Sequence, residues 1–243
     1  MQTTKSLIVL LASAISIYGQ AVITTAAGTG ACGYTGDNGP ATSAGVCNPQ
    51  ATTADGLGNV YFYDTANFVV RKISTSGIIT TIAGNGVQGT SGDGGPALNA
   101  SLGIISQIAV GGAGTVALGD ALAHKIRLVN LQTGIIQGYG TGNAVNAGDF
   151  GSFVSASFNQ PKGMAMFQEF HAPVAGTGLF LSDPADNVIR KMDINGIMTT
   201  VIGPARQVIW ETVALGCSQQ RITPHPSRCL TARSTLRMQA TTA

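Results

Sequence analysis

"DTANFVVR" at residues 64–71 decides the fold, because the chain writes it twice more, as "DALAHKIR" at residues 120–127 and "DPADNVIR" at residues 183–190. In all three the Asp and the Arg stand seven positions apart. Each copy follows a short apolar run ("NVYFY", "TVALG", "GLFLS") and leads into "VVRKI", "KIRLV" or "VIRKM". Strand-forming runs on both sides of a short polar segment predict two antiparallel strands and the turn between them. Three uses of one such segment predict a repeat protein.

Outward from these turns the repeat is longer. The first unit opens with "VITTAAGTG" at Val22, the second with "IITTIAGNG" at Ile78, the third with "IIQGYGTGN" at Ile135, and a fourth begins "IMTTVIG" at Ile197, at offsets of 56, 57 and 62 residues. Each unit then runs through a Gly-rich loop and a strand candidate ("ATTAD" at Ala51, "QIAVG" at Gln107, "GMAMF" at Gly163) before the two strands that flank the Asp-to-Arg turn. Four short strands per repeat make one blade of a β-propeller. The expected fold class is therefore all-β: three complete four-stranded blades over residues 22–203, with a partial fourth, in an incomplete or open propeller. A lone sheet has two faces to cover, and stacking blades covers them with period-two apolar positions such as Val60, Phe62, Val116, Leu118, Leu179 and Leu181.

Composition agrees with many short strands and Gly turns: 33 Gly, 44% hydrophobic and only 10% charged residues in 243. Over residues 22–203 seven Lys or Arg meet ten Asp or Glu, a net of −3, while residues 204–243 carry five Arg against Glu211, a net of +4. An acidic repeat body without a basic stripe argues against nucleic acid as its partner. Residues 1–21 have Lys5, an apolar run from Leu7 to Tyr18 and small residues at Gly19 and Ala21, the layout of a secretory signal. A run of that length is shorter than the roughly 20 residues a bilayer span takes, so export is expected and stable membrane insertion is not. After Gly203 the pattern stops, and residues 204–243 read as an irregular basic tail.

The units resemble NHL repeats in their long-loop form, through "TGDNGPATSA" from Thr35, "GNVYFYDTANFVVRKI" from Gly58 and "GIITTIAGNG…SGDGGPALNA" from Gly77. The likeness fades in the third unit, where "AGDFGS" replaces the Gly-Pro loop and "EFHAPVAGTG" is inserted. The resemblance implies a propeller, commonly of about six blades, that acts as an interaction module. Three units and a fourth beginning leave strand edges and a blade face open, so the chain is read as a fragment, a truncated product, or a partner in an assembly that completes a ring.

The Asp and Arg of each turn, Asp64 with Arg71, Asp120 with Arg127 and Asp183 with Arg190, are read as structural ion pairs, the Asp also capping its turn. "GTGACG" at Gly28 and "GNGVQG" at Gly84 fit a dinucleotide fingerprint in spacing, but the Gly- and Pro-rich segments that follow cannot open the required helix. Asp37 and Asp93 in those loops are assigned turn roles, one carboxylate per loop being too few for calcium. Cys32 with Cys47 and Cys217 with Cys229 are expected as disulfides in an exported chain. His124, His171 and His225 are scattered and read as surface residues.

The functional expectation is a secreted, non-enzymatic module that presents propeller loops to a protein or glycan partner, with no catalytic residue, cofactor or metal. The alternative is a propeller hydrolase or lyase, lactonase-like or amidating-lyase-like, with a metal in the central channel. Of the candidate inner strands, only Asp55 offers a ligand for it.

Overall fold

A computed structural model of the chain describes residues 23–171 and 174–203. The first sheet is β1 (Pro49–Ala54), β2 (Val60–Asp64), β3 (Val69–Ile73) and β4 (Ile79–Ala83). The second is β5 (Ile105–Val110), β6 (Thr115–Asp120), β7 (Lys125–Asn130) and β8 (Ile135–Tyr139). The third is β9 (Met164–His171), β10 (Val174–Asp183), β11 (Val188–Met192) and β12 (Met198–Ile202). In every sheet the strands neighbour one another in chain order and pair antiparallel. β1 packs on β5 and β5 on β9, so the first strands lie innermost, as in a propeller. The protein is all-β, with three four-stranded sheets arranged like propeller blades. The expected signal segment and the tail from Pro204 lie outside the described residues.

The expected positions are buried, but in the first two sheets the positions between them, such as Tyr61, Tyr63 and Ala117, are buried as well, because those sheets are covered on both faces. Phe62, Val116, Leu118, Leu179 and Leu181 are buried, and Val60 is half-buried. The insertion in the third unit extends the β9–β10 hairpin, whose register runs from Met164↔Leu181 to His171↔Val174. For that reason Arg190 follows Arg127 by 63 positions, where Arg127 follows Arg71 by 56.

The long Gly-rich loops wedge between sheets. Ala97, Ala100 and Leu102, from the loop before β5, share one core with Tyr61 and Val70 of the first sheet and Val116 and Leu118 of the second. Phe153, Ala156 and Phe158 fill the same role between Ala117 and Ile126 on one side and Leu179 and Met198 on the other. Each loop turns back at a glycine with left-handed φ: Gly36 (+87°), Gly92 (+95°) and Gly148 (+87°). A Cβ there would fall 2.7, 2.6 and 2.8 Å from the Cα of Ala44, Ala100 and Ala156. Glycine opposite alanine is thus required twice over, by φ and by the close approach of backbone. The loop then forms a short 3-10 turn (Ala41–Ser43, Ala97–Asn99, Phe153–Ser155) and bridges the start of its own blade's fourth strand at Pro40↔Ile78, Pro96↔Ile135 and Ser152↔Ile197.

One departure from the sequence reading concerns the first unit. Residues 23–27, part of the β-branched run that opens the first unit, form no strand, and Ile23 is 98% exposed. They join none of the three sheets. Cys32 and Cys47 form a disulfide with Cα atoms 4.4 Å apart. The second loop closes the corresponding place by a backbone bridge, Gln88↔Leu102. Cys217 and Cys229 lie outside the described residues.

Candidate functional site

The six charged residues of the Asp-to-Arg turns are all fully buried. Each Arg enters from the third strand of its blade and grips the long loop. Arg71 Nη1 donates to the Gly45 carbonyl (2.8 Å), and its Nη2 to the Thr35 carbonyl (2.9 Å) and Asp37 Oδ1 (2.7 Å). Arg127 donates to the carbonyls of Ser101 (2.6 Å) and Ser91 (2.8 Å) and, through Nε, to Asp93 Oδ1 (2.8 Å). Arg190 donates to the carbonyls of Ser157 (2.9 Å) and Ala147 (3.0 Å) and to Asp149 Oδ1 (2.8 Å). The acceptors stand at 35/91/147, 37/93/149 and 45/101/157, each step being 56 residues. A planar guanidinium with five donors suits such a cage, and an ammonium would not span it.

The Asp of each turn fastens the other end of the loop. Asp64 Oδ1 accepts from the Cys47 N–H (2.9 Å) and Asn67 Nδ2 (2.8 Å). Asp120 accepts from the N–H groups of Gly103 (3.1 Å) and Ala123 (3.0 Å), and Asp183 from those of Asn159 (2.6 Å) and Gln160 (2.9 Å). The ion pairs read from the seven-residue spacing are secondary: Asp64 lies 3.7 Å from Arg71 and Asp120 3.5 Å from Arg127. Arg190 pairs with Asp149 instead, and Asp183 is held by backbone. The loop acids Asp37 and Asp93, assigned turn roles from sequence, are the close partners. Their 56-residue spacing to Asp149 was the available signal, hidden because "AGDFGS" lacks the Gly-Pro frame around it. Burial pushes the Asp64 carboxyl up, against the bonds from Asn67, Cys47 and Arg71. Tyr63, whose hydroxyl donates to the Gly103 carbonyl at 2.7 Å, is raised by burial and by the charges of Asp120 and Asp64.

Between the far ends of β1 and β5 and the middle of β9 lies a recess of 330 Å³ lined by Ala54, Asp55, Gly56, Val110, Gly111, Gly112, Met166 and Phe167. Asp55, Gly111 and Phe167 occupy equivalent positions, so the repeat supplies one carboxylate and not a ring of them. Asp55 is already engaged. It accepts from the N–H groups of Leu57 and Asn59, from Asn59 Nδ2 and from the Tyr61 hydroxyl. Burial opposes its ionisation, but those bonds outweigh it and bring its pKa to about 2, while burial and the Asp55 contact push Tyr61 up to about 12.

The opposite end carries the Asp-to-Arg turns and four exposed aliphatic side chains: Val87 (60%), Ile104 (54%), Leu122 (43%) and Val145 (49%). Ile104 is tied there by the bond from the Ala121 N–H to its carbonyl, and Gly86 and Gly142 bring the loop entrances beside Asn67 and Ala123. His124, expected at the surface, is half-buried in its turn and contacts the Asn159 carbonyl of the next unit through Nδ1. The loops at Gly28 and Gly84 are turns with left-handed glycines and open no helix.

Fold and site thus define a class: an all-β protein of stacked four-stranded blades whose loops are clamped by buried charge. No protein-family model matches the chain, and no curated protein does. Similar solved structures include an auxiliary nutrient binding protein from Bacteroides ovatus (11% identity, 66% of this chain and 37% of that one, TM-score 0.49). A protein of unknown function from Bacteroides thetaiotaomicron has 22% identity over 55% of this chain and 32% of its own, with TM-score 0.45. A virginiamycin B lyase from Staphylococcus aureus has 18% identity over 67% of this chain and 45% of its own, with TM-score 0.38. The chain spans less than half the length of each of these three.

Proposed function

We propose that the chain is a secreted, non-enzymatic module of NHL type that presents the loops at one end of its blades to a partner. The observation that carries this reading is the combination of a clamped frame with exposed Val87, Ile104, Leu122 and Val145 at the end where the clamps lie. Loops fastened by buried Arg and Asp hold a surface ready for binding at little ordering cost. Aliphatic side chains favour a protein over a glycan, since sugar sites rely on polar groups and aromatic faces. Support for secretion comes from the signal-like residues 1–21 and the Cys32–Cys47 disulfide, a bond suited to oxidising compartments. An enzyme in the recess would need Asp55 released from four donors.

The test is chemical crosslinking of the purified chain to extracellular proteins alongside a glycan panel, with the double variant Ile104→Ser/Leu122→Ser in parallel. Protein capture lost in the variant at unchanged stability is the expected result. Stoichiometric calcium or zinc in the purified chain together with lactone hydrolysis would replace this reading by the enzymatic one.

A further inference from the structure

The chain makes one kind of contact twice and carries the two halves of a third. In each contact the far face of one sheet receives the long loop and inner strand of the next unit. On the first sheet that face includes Tyr61 (1% exposed) and Val70 (0%), and on the second Ala117 (0%) and Ile126 (0%). The same positions on the third sheet are Phe180 and Ile189. Phe180 of β10 is 38% exposed, and Val201 of β12, two strands away in the same sheet, is 46% exposed. Lys191 lies 5.9 Å over the Phe180 ring as Lys72 lies 5.8 Å over Tyr61, so the face is built alike and differs in being uncovered among the described residues.

The other half lies on the first unit. In the second unit Leu102, Ile105 and Ile108 are buried against the preceding sheet, and in the third Phe158, Pro161 and Met164 are buried likewise. Their counterparts are Val46, half-buried, and Pro49 and Thr52, both exposed. That loop is already folded to the shared pattern, with Gly36 against Ala44 as Gly92 is against Ala100.

We propose that a second copy of this chain occupies the third sheet's far face, seating its own front of Val46, Pro49 and Thr52 against Phe180, Ile189 and Val201. The occupant is a second copy because the two surfaces are the halves of a contact the chain already makes internally at the same repeat positions. The contact is head-to-tail, so one copy's front meets the next copy's face, and rotation about the blade axis closes a ring or extends a chain of blades.

The experiment is sedimentation velocity and light scattering of the full chain over a concentration series, with Phe180→Asp and Thr52→Arg as separate variants and Val154→Asp, on the 61% exposed outer turn of the third loop, as control. Expected are multiples of the chain mass for the parent and the control, and self-association weakened about 30-fold or more in each single variant. Mixing the two variants should restore a dimer, because the Phe180→Asp copy keeps an intact front and the Thr52→Arg copy an intact face. Thermal melts check that Thr52→Arg, at an exposed position, retains the fold. A parent that stays monomeric at every concentration overturns the proposal, including one whose face is covered by residues 204–243. Association that survives both variants, or a mixture that does not pair, overturns it as well.

Discussion

Replacing Arg127 with Ala tests whether the clamps hold the blades together. Arg127 is fully buried, and its removal strips the Ser91 and Ser101 carbonyls of their donor, leaves Asp93 with Lys125 alone and the buried Asp120 without a countercharge. Removing one partner of a buried charge pair costs about 3–5 kcal/mol. In a domain of this size each kcal/mol moves the thermal midpoint by about 2–4 °C, so the loss should be about 6–20 °C. Arg127→Lys keeps the charge but reaches fewer of the acceptors, and it should fall between parent and Ala. The assay is a thermal melt followed by circular dichroism, paired with thermolysin cleavage of the loop at residues 84–104. Faster cleavage near Val87 and Leu98 is expected, because the loop is what Arg127 holds. A midpoint and a cleavage rate both equal to the parent's would refute the assignment of the buried Arg as loop clamps.

Two further outcomes follow from the first unit. The Cys32→Ser/Cys47→Ser variant opens a bridge across a sequence separation of 15 and should lose about 3 kcal/mol in a urea melt; alkylation of the unreduced parent at either cysteine would contradict the bond. Asp55, with a folded pKa of about 2 against an ordinary 3.8, binds fewer protons folded than unfolded between those values. Its stabilisation is therefore present above about pH 4 and lost as pH falls toward 2. The stability gap between parent and Asp55→Asn should narrow over that window, and a gap independent of pH would sink the argument.

The blade was legible in the sequence because its causes are local. Period-two apolar runs, Gly at turns and the Asp that ends each second strand act over a few residues, and repetition makes them visible at Asp64, Asp120 and Asp183. The clamp was not legible in the same way. The seven-residue spacing drew attention to Asp64 with Arg71, yet the shortest charge contact joins Arg71 to Asp37, 34 positions earlier. Asp149 stands 41 positions before Arg190, behind an inserted hairpin that breaks the register of the repeat.

Sequence alone determined that four-stranded units recur and which side chains alternate along them, since strand geometry dictates both. Only the tertiary structure decided what those side chains meet. The long loops lie between sheets, so a carbonyl at Ser101 and a guanidinium at Arg127 become partners through folding and not through proximity in the chain. The same holds for exposure: Tyr61 and Phe180 occupy one repeat position, and among the described residues one is buried and the other open because a following loop covers the first sheet and not the third.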